Sequence, residues 1–430
     1  MTEPNRRAFL GTSATAIAAG WTVLSPRPGK AAPADLVNVA VMGIRGRGDG
    51  LAQGFAGLPG ARVTHLVDVD SRLFSQAIPA IAERQGVEPK AETDFRRVLD
   101  NPDVDALIVA TPDHWHAPAT VFACQAGKHV YVEKPASHTL WEGRKMVEAA
   151  RKYGRVVQVG TQSRSTPHYR HVIEEVIPSG RIGAVLQARA WNSQKRPDLT
   201  VQPDSAPPEG VDYDLWIGPA PKRPFNPNRF HYTWHWMWDY GTGDVGNDGV
   251  HDLDIARWGL GVGMPRTVAC TATKMLNKTW ETPDTVFASY TFADSPAILI
   301  FEQRDWSPYV EIGFENGVTF YGTKGRIEIG RAGWRLFEGN DPVPVESEPF
   351  SDRHHFENFL DCVASGRLPN ADIEQGHRSA SLAHLANIAY RTGRGCVTID
   401  PETEQVVGDT EAQALTRREY RSPFAIPDEV

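Results

Sequence analysis

Between residues 36 and 160 the chain alternates short apolar runs with segments of helix length. The runs are LVNVAVMG, ARVTHLVDVD, DALIVATPD, KHVYVEKP and RVVQVGTQ. Unbroken apolar strands separated by helical stretches are buried on both faces by crossover helices, so this rhythm predicts a doubly wound parallel α/β sheet. From about Thr161 the pattern changes. TVFASYTF, AILIFEQR, YVEIGFE, VTFYG and RIEIG read as strands of a second, mostly β region, and Asn316-Gly317 predicts a two-residue hairpin turn. Residues 193–230 are too proline-rich for long helices or central strands. Tyr213, Trp216, Phe225 and Phe230 give that stretch apolar anchors, so it is expected as an ordered loop rather than a linker.

A chain of 430 residues with 41% hydrophobic content is long enough for two cores, and the change of pattern divides it into 35–160 and 161–430. The formal charge of -8 includes no basic stripe, which argues against nucleic-acid or anionic-membrane partners and favours a small molecule. Cys124, Cys270, Cys362 and Cys396 are far apart without CxxC spacing, so no zinc cluster is expected. Ahead of the first strand, NRRAFLGTSATAIAAGWTVL pairs Arg6 and Arg7 with a weakly apolar, small-residue run. That is the pattern of a twin-arginine export signal over residues 1–34, which implies the export machinery as a partner and a mature, periplasmic or otherwise exported chain beginning near Asp35. No later segment approaches the length of a membrane span.

The first apolar run enters GIRGRG, where Gly43 and Gly48 stand as the outer glycines of a dinucleotide fingerprint and Arg45 replaces the middle one. Asp68 ends the next run about twenty residues later, where a carboxylate accepts hydrogen bonds from an adenosine ribose and repels the extra phosphate of NADP. NAD is therefore the expected cofactor, held by Gly43, Arg45, Gly46, Arg47, Gly48 and Asp68. TPDHWHAP and EKP close later strands, and in an open parallel sheet ligands bind beyond the strands' carboxyl ends. Thr111, Pro112, His114, His116, Glu133, Lys134 and, after the last run, Gln162 thus join the cofactor set. Thr139 and Glu142 form a capping box for a helix that Gly154 can end.

TPDHWHA, EKPASHTLWEGRKMVEAARKYG and VGTQSRS together resemble the glucose-fructose oxidoreductase and inositol dehydrogenase family, Gfo/Idh/MocA. The resemblance runs from about Leu36 to the segment GHRSASLAHLANIAYRTGR. It implies an N-terminal Rossmann-type sheet, a C-terminal α+β domain with a large open, mostly antiparallel sheet, and a homo-oligomer. It also implies that Lys134 sits beside the substrate hydroxyl and the nicotinamide, and that His251 is the catalytic histidine. An ammonium near an alcohol stabilises developing alkoxide charge, which agrees with that role.

The family pattern has aspartate four residues before the histidine, whereas this chain has Asn247, with Asp248 and Asp254 as the candidate replacements. An amide orients a partner but holds no charge. Trp234, Trp236 and Trp238 suit a sugar face, and Arg164 of VGTQSRS completes a substrate set with Lys134, Asn247, Asp248 and His251. His231, His235, His251, Asp252 and Asp254 raise a metal reading, but the dehydrogenase motifs explain the same residues without one. No GxSxG appears, which argues against an acyl-enzyme hydrolase. The sequence reads as an NAD(H)-dependent oxidoreductase for a carbinol of a sugar, glycoside or polyol. Two alternatives stand beside it: a redox-neutral glycoside hydrolase or lyase working through a transient keto-sugar, and a non-catalytic sugar-binding relative.

Overall fold

The computed structural model describes residues 36–430 except 308, 311 and 312. The twin-arginine segment and the expected start near Asp35 lie outside the described residues. All five apolar runs of the first region form strands: β1 Val37–Met42, β2 Ala61–Val67, β4 Ala106–Val109, β5 His129–Val132 and β6 Val157–Val159. β3, Lys90–Glu92, went unforeseen because a three-residue polar edge strand carries no apolar run. The six strands are parallel in the order β3-β2-β1-β4-β5-β6. The order reverses between β1 and β4, which opens a crevice beyond their carboxyl ends. The helix Leu140–Lys152 that follows β5 begins with the expected reciprocal cap between Thr139 and Glu142.

The second sheet has nine strands, ordered β14-β13-β12-β11-β7-β10-β9-β8-β15. They are β7 Val185–Ser193, β8 Pro265–Thr273, β9 Thr285–Phe292, β10 Ile298–Arg304, β11 Asn316–Gly322, β12 Gly325–Gly330, β13 Gly333–Glu338, β14 Asp341–Val343 and β15 Cys396–Thr398. Only β7 and β10 run parallel, so the sheet is open and mostly antiparallel.

Two sequence expectations fail here. The described residues of YVEIGFE form no strand, and Asn316-Gly317 is not a turn but the start of β11, paired with Asn192 and Trp191 of β7. Gly317 serves close approach instead: a Cβ there would lie 2.5 Å from the Ile329 carbonyl oxygen and 3.2 Å from the Trp191 ring.

The helix Ile373–Arg391 packs against the helix Leu140–Lys152 on one side and β8 on the other. Its Leu382, Leu385 and Ala386 join the core of the second sheet, while Ile373 and Ala380 join a core beneath the first. Leu36–Val430 form one compact unit for that reason. The proline-rich segment is ordered around its anchors: Trp216, Phe225 and Phe230 cluster with Trp234 and Tyr240, and Tyr213 stacks on Trp216 at 5.7 Å.

Candidate active site

Beyond the carboxyl ends of β1, β4 and β5 lies a cleft of about 490 Å³. Its floor is the turn after β1. Gly43, at φ 82°, presses so close to β4 that a Cβ would meet the Ala110 carbonyl oxygen at 2.7 Å. Gly48 does not line the cleft; it lets the first helix, Arg47–Ala56, sit directly on Gly43. Gly46 faces open space, and Arg45 and Arg47 line the cleft beside it. Asp68 accepts hydrogen bonds from Ile44 N and Asp70 N, each at 2.9 Å, and burial pushes its carboxyl up to about 6. Asp70 is held by Arg72 at 2.6 Å and His231 at 3.1 Å. Thr111 and Pro112 line the wall, and the buried Thr111 Oγ1 has no hydrogen-bond partner. An open glycine turn, an arginine at the N-terminus of a ten-residue helix, a carboxylate at the end of β2 and a polar wall fit a dinucleotide.

Lys134, just past β5, points into the cleft and donates from Nζ to Asn247 Oδ1 at 2.9 Å. Burial lowers its pKa, opposed by Glu133 and Asp113. Burial also opposes ionisation of Glu133, but Arg47 at 2.7 Å and Lys134 more than offset it and hold the carboxylate below its usual range. Arg47 also reaches Asp352 at 2.6 Å, so one guanidinium links β5 to the second region. His116 lies in the wall with its ring nitrogens 2.7 Å and 3.0 Å from the Pro135 and Thr111 carbonyl oxygens. Gln162 lines the cleft 3.5 Å from Glu133.

A π-helical turn, Val245–Gly249, runs into the helix Val250–Leu260. Widened turns of this kind re-aim side chains. Here Asn247, Asp248 and His251 all face the cleft. His251 Nδ1 is buried without a partner, and burial, with Arg331 and Lys134 nearby, holds its pKa well below the ordinary value. Its surroundings thus disfavour the charged ring and leave Nδ1 free for a hydrogen bond to a bound molecule.

Neither proposed replacement for the missing aspartate is hydrogen-bonded to His251 Nδ1. Asp254 is consumed by Arg164 at 2.7 Å and by Ser379, all sealed from water. Arg164 is therefore a structural partner 4% exposed and not a cleft residue, a correction to the sequence reading. Asp248 pairs with Arg196. The carboxylate that reaches Asn247 is Asp244: Asn247 Nδ2 donates to Asp244 Oδ1 at 2.8 Å, and Arg196 Nε donates to Asp244 Oδ2 at 2.8 Å. Its partner Arg196 lies 48 residues away in the proline-rich segment, beyond the reach of local spacing.

Of the three tryptophans expected at the sugar, Trp234 alone lines the cleft, stacked on His235 at 3.7 Å. Trp236 is fully buried against Trp280 at 4.2 Å, and Trp238 faces a separate small cavity under Arg391. His114 is also off the cleft, donating from Nε2 to the Trp216 carbonyl at 2.9 Å, and burial pushes it down to about 3. Cleft residues that the sequence reading did not assign to the cofactor or substrate include Asp70, Asp113, His235, Arg331 and Asp352. Asp113 accepts from Thr242 Oγ1 at 2.8 Å and is pushed up to about 7 by burial; His235 and Arg331 also line the space. Asp113 stands inside TPDHWHAP, so that motif carried a signal for it. Among the described residues, no three His, Cys, Asp or Glu side chains converge to hold a metal ion.

A switch-point cleft with a glycine turn, a carboxylate at the end of β2 and a half-buried lysine is the framework of a nicotinamide-dependent oxidoreductase. Residues 37–161 match the model for the oxidoreductase family's NAD-binding Rossmann fold, and residues 187–426 match that for its C-terminal alpha/beta domain. The chain belongs to the Gfo/Idh/MocA oxidoreductase family. It is 28% identical over 351 residues to inositol 2-dehydrogenase 2 of Saccharopolyspora erythraea, covering 78% of this chain and 87% of the relative. In fold it is similar to an aldose-aldose oxidoreductase of Caulobacter crescentus complexed with glycerol, with TM-score 0.66, 22% identity, and coverage of 85% and 100%. It is also similar to a levoglucosan dehydrogenase complexed with NADH and levoglucosan, with TM-score 0.65, 19% identity, and coverage of 85% and 99%.

Proposed function

We propose that this protein oxidises a carbinol of a sugar, glycoside or polyol with a tightly held NAD, and that it does so after twin-arginine export. The reading is carried by Lys134 Nζ, 2.9 Å from Asn247 and on the same cleft as His251 and the glycine turn. When bound, nicotinamide supplies the hydride acceptor. Lys134 polarises the carbinol oxygen, the neutral His251 takes its proton, and Asn247 and Trp234 position the ring. Asp68 and the adjacent Asp70 favour the free ribose of NAD over a 2′-phosphate. Arg47, bonded to both Glu133 and Asp352, ties the first helix across the cleft and so favours nucleotide retention. A redox-neutral cycle, in which a second sugar restores the cofactor in place, agrees with the name of one fold relative, an aldose-aldose oxidoreductase. The Phe287 and Ile298 side chains, exposed on the second sheet, support a homo-oligomer.

The test is purification without added nucleotide, mass analysis of what acid releases, and rapid mixing with myo-inositol, D-glucose and levoglucosan. Retained NAD(H), with a nicotinamide absorbance change and no NADH accumulating in solution, supports the reading. An empty protein unresponsive to all three sugars overturns it.

A further inference from the structure

The amide at position 247 lies between two groups that leave it one orientation. Asp244 is an ionised carboxylate that only accepts: burial opposes its charge, but Arg196 and Asn247 more than offset this and hold it below the usual range. On the other side, the Lys134 ammonium donates at 2.9 Å. Asn247 must therefore turn its NH2 to Asp244 and its oxygen to Lys134. Asp244 itself is fixed by two contacts from Arg196, at 2.8 Å and 3.1 Å, and by Trp236 Nε1 at 3.3 Å, with no exposure to water. Asp305, buried beside it, is pushed well above the usual carboxylate range by burial and by the Asp244 charge.

We infer that Asp244 is a positioning residue for Lys134, acting through Asn247: it locks the amide oxygen onto the ammonium, so that Lys134 is aimed without being bound to a counter-ion. This rests on the proposed role of Lys134. A carboxylate at 247 would need no such help, because both its oxygens accept. It would also stand against Asp244, where the amide now donates at 2.8 Å. The two positions are thus coupled in sign: Asp244 helps an amide at 247 and harms an acid there.

The experiment compares wild type, D244A, N247D and D244A/N247D by single-turnover nicotinamide absorbance with myo-inositol, D-glucose and levoglucosan. Alongside it, competitive acetylation of Lys134 by acetic anhydride across pH, followed by peptide mass spectrometry, reads the lysine without any substrate. D244A should slow transfer by about tenfold or more with sugar affinity and bound nucleotide unchanged, as lost aim does. Its Lys134 should titrate at lower pH, since a freed amide can turn its NH2 to the lysine. N247D should also be slow, while the double variant should outpace both singles and titrate its lysine above wild type. D244N, which keeps an acceptor oxygen for Asn247, should stay within about threefold of wild type and serves where D244A does not fold.

Additive losses in the double variant, or D244A at wild-type speed, overturn the inference. A wild type silent toward all three sugars overturns the reading of function instead. The acetylation profile then decides this inference, which falls if D244A leaves the Lys134 titration where wild type has it.

Discussion

The Asp68 carboxylate at the end of β2 accepts a hydrogen bond from the Ile44 backbone at 2.9 Å, binding the strand end to the glycine turn after β1. The residue expected to choose the cofactor therefore also shapes the floor on which the cofactor lies. D68N keeps the acceptor for Ile44 and removes the charge. At pH 8, above the value of about 6 to which burial pushes Asp68, binding of NAD and NADP by wild type and D68N should be compared. D68N should narrow the preference for NAD by about tenfold, roughly the 1–4 kcal/mol of one close charge contact. An unchanged ratio would remove Asp68 from the discrimination.

K134M and H251A should both retain nucleotide and fold normally, yet transfer hydride about 10²–10⁴-fold more slowly, because each removes a group that acts on the substrate's proton or oxygen. Stopped-flow single turnovers check this, and a variant at wild-type rate has no part in the chemistry.

Asp113 makes stability depend on pH. Burial raises its pKa to about 7 in the folded chain, so the folded state binds the proton more tightly than the unfolded one. Its stabilising contribution is complete below the unfolded value near 4 and is lost as pH rises through about 7. D113N should therefore match wild type in urea midpoint at pH 4 and exceed it at pH 8. Equal midpoints at both pH values would mean that Asp113 titrates normally.

G317A should destabilise the chain by about 1–3 kcal/mol, because the added methyl meets the Ile329 carbonyl and the Trp191 ring inside the sheet. Bound nucleotide per folded molecule should not change. Thermal melts with nucleotide analysis test both halves.

The first sheet was legible because its strands are buried on both faces and must be apolar throughout, which leaves a plain trace in the chain. Lys90–Glu92 left none, being short, polar and at the edge. Asn316-Gly317 misled for a different reason: a glycine that makes room for a neighbouring strand looks the same in sequence as one that makes a turn. Lys134 and His251 were found through local motifs, and both line the cleft. Arg164 was misplaced because Asp254, its partner, lies 90 residues on. Asp244 escaped because motif spacing pointed to position 247, while the π-helical turn brings the acid in from three residues earlier. Contacts made between distant segments leave no period to read.

Phe424 rests edge-on against Trp115 at 5.1 Å, and Trp115 against Phe95 at 5.4 Å; with Ile426 they complete the core beneath the first sheet. The residues that finish the nucleotide-binding half thus follow the whole second sheet in the chain. Because domains generally fold as units from the N-terminus during synthesis, the strands of the first sheet are made well before Phe424 and Ile426 are available to pack against them. A chain shortened before Phe424 would leave Trp115 uncovered, so the nucleotide-binding half depends on a segment that its own stretch of sequence does not announce.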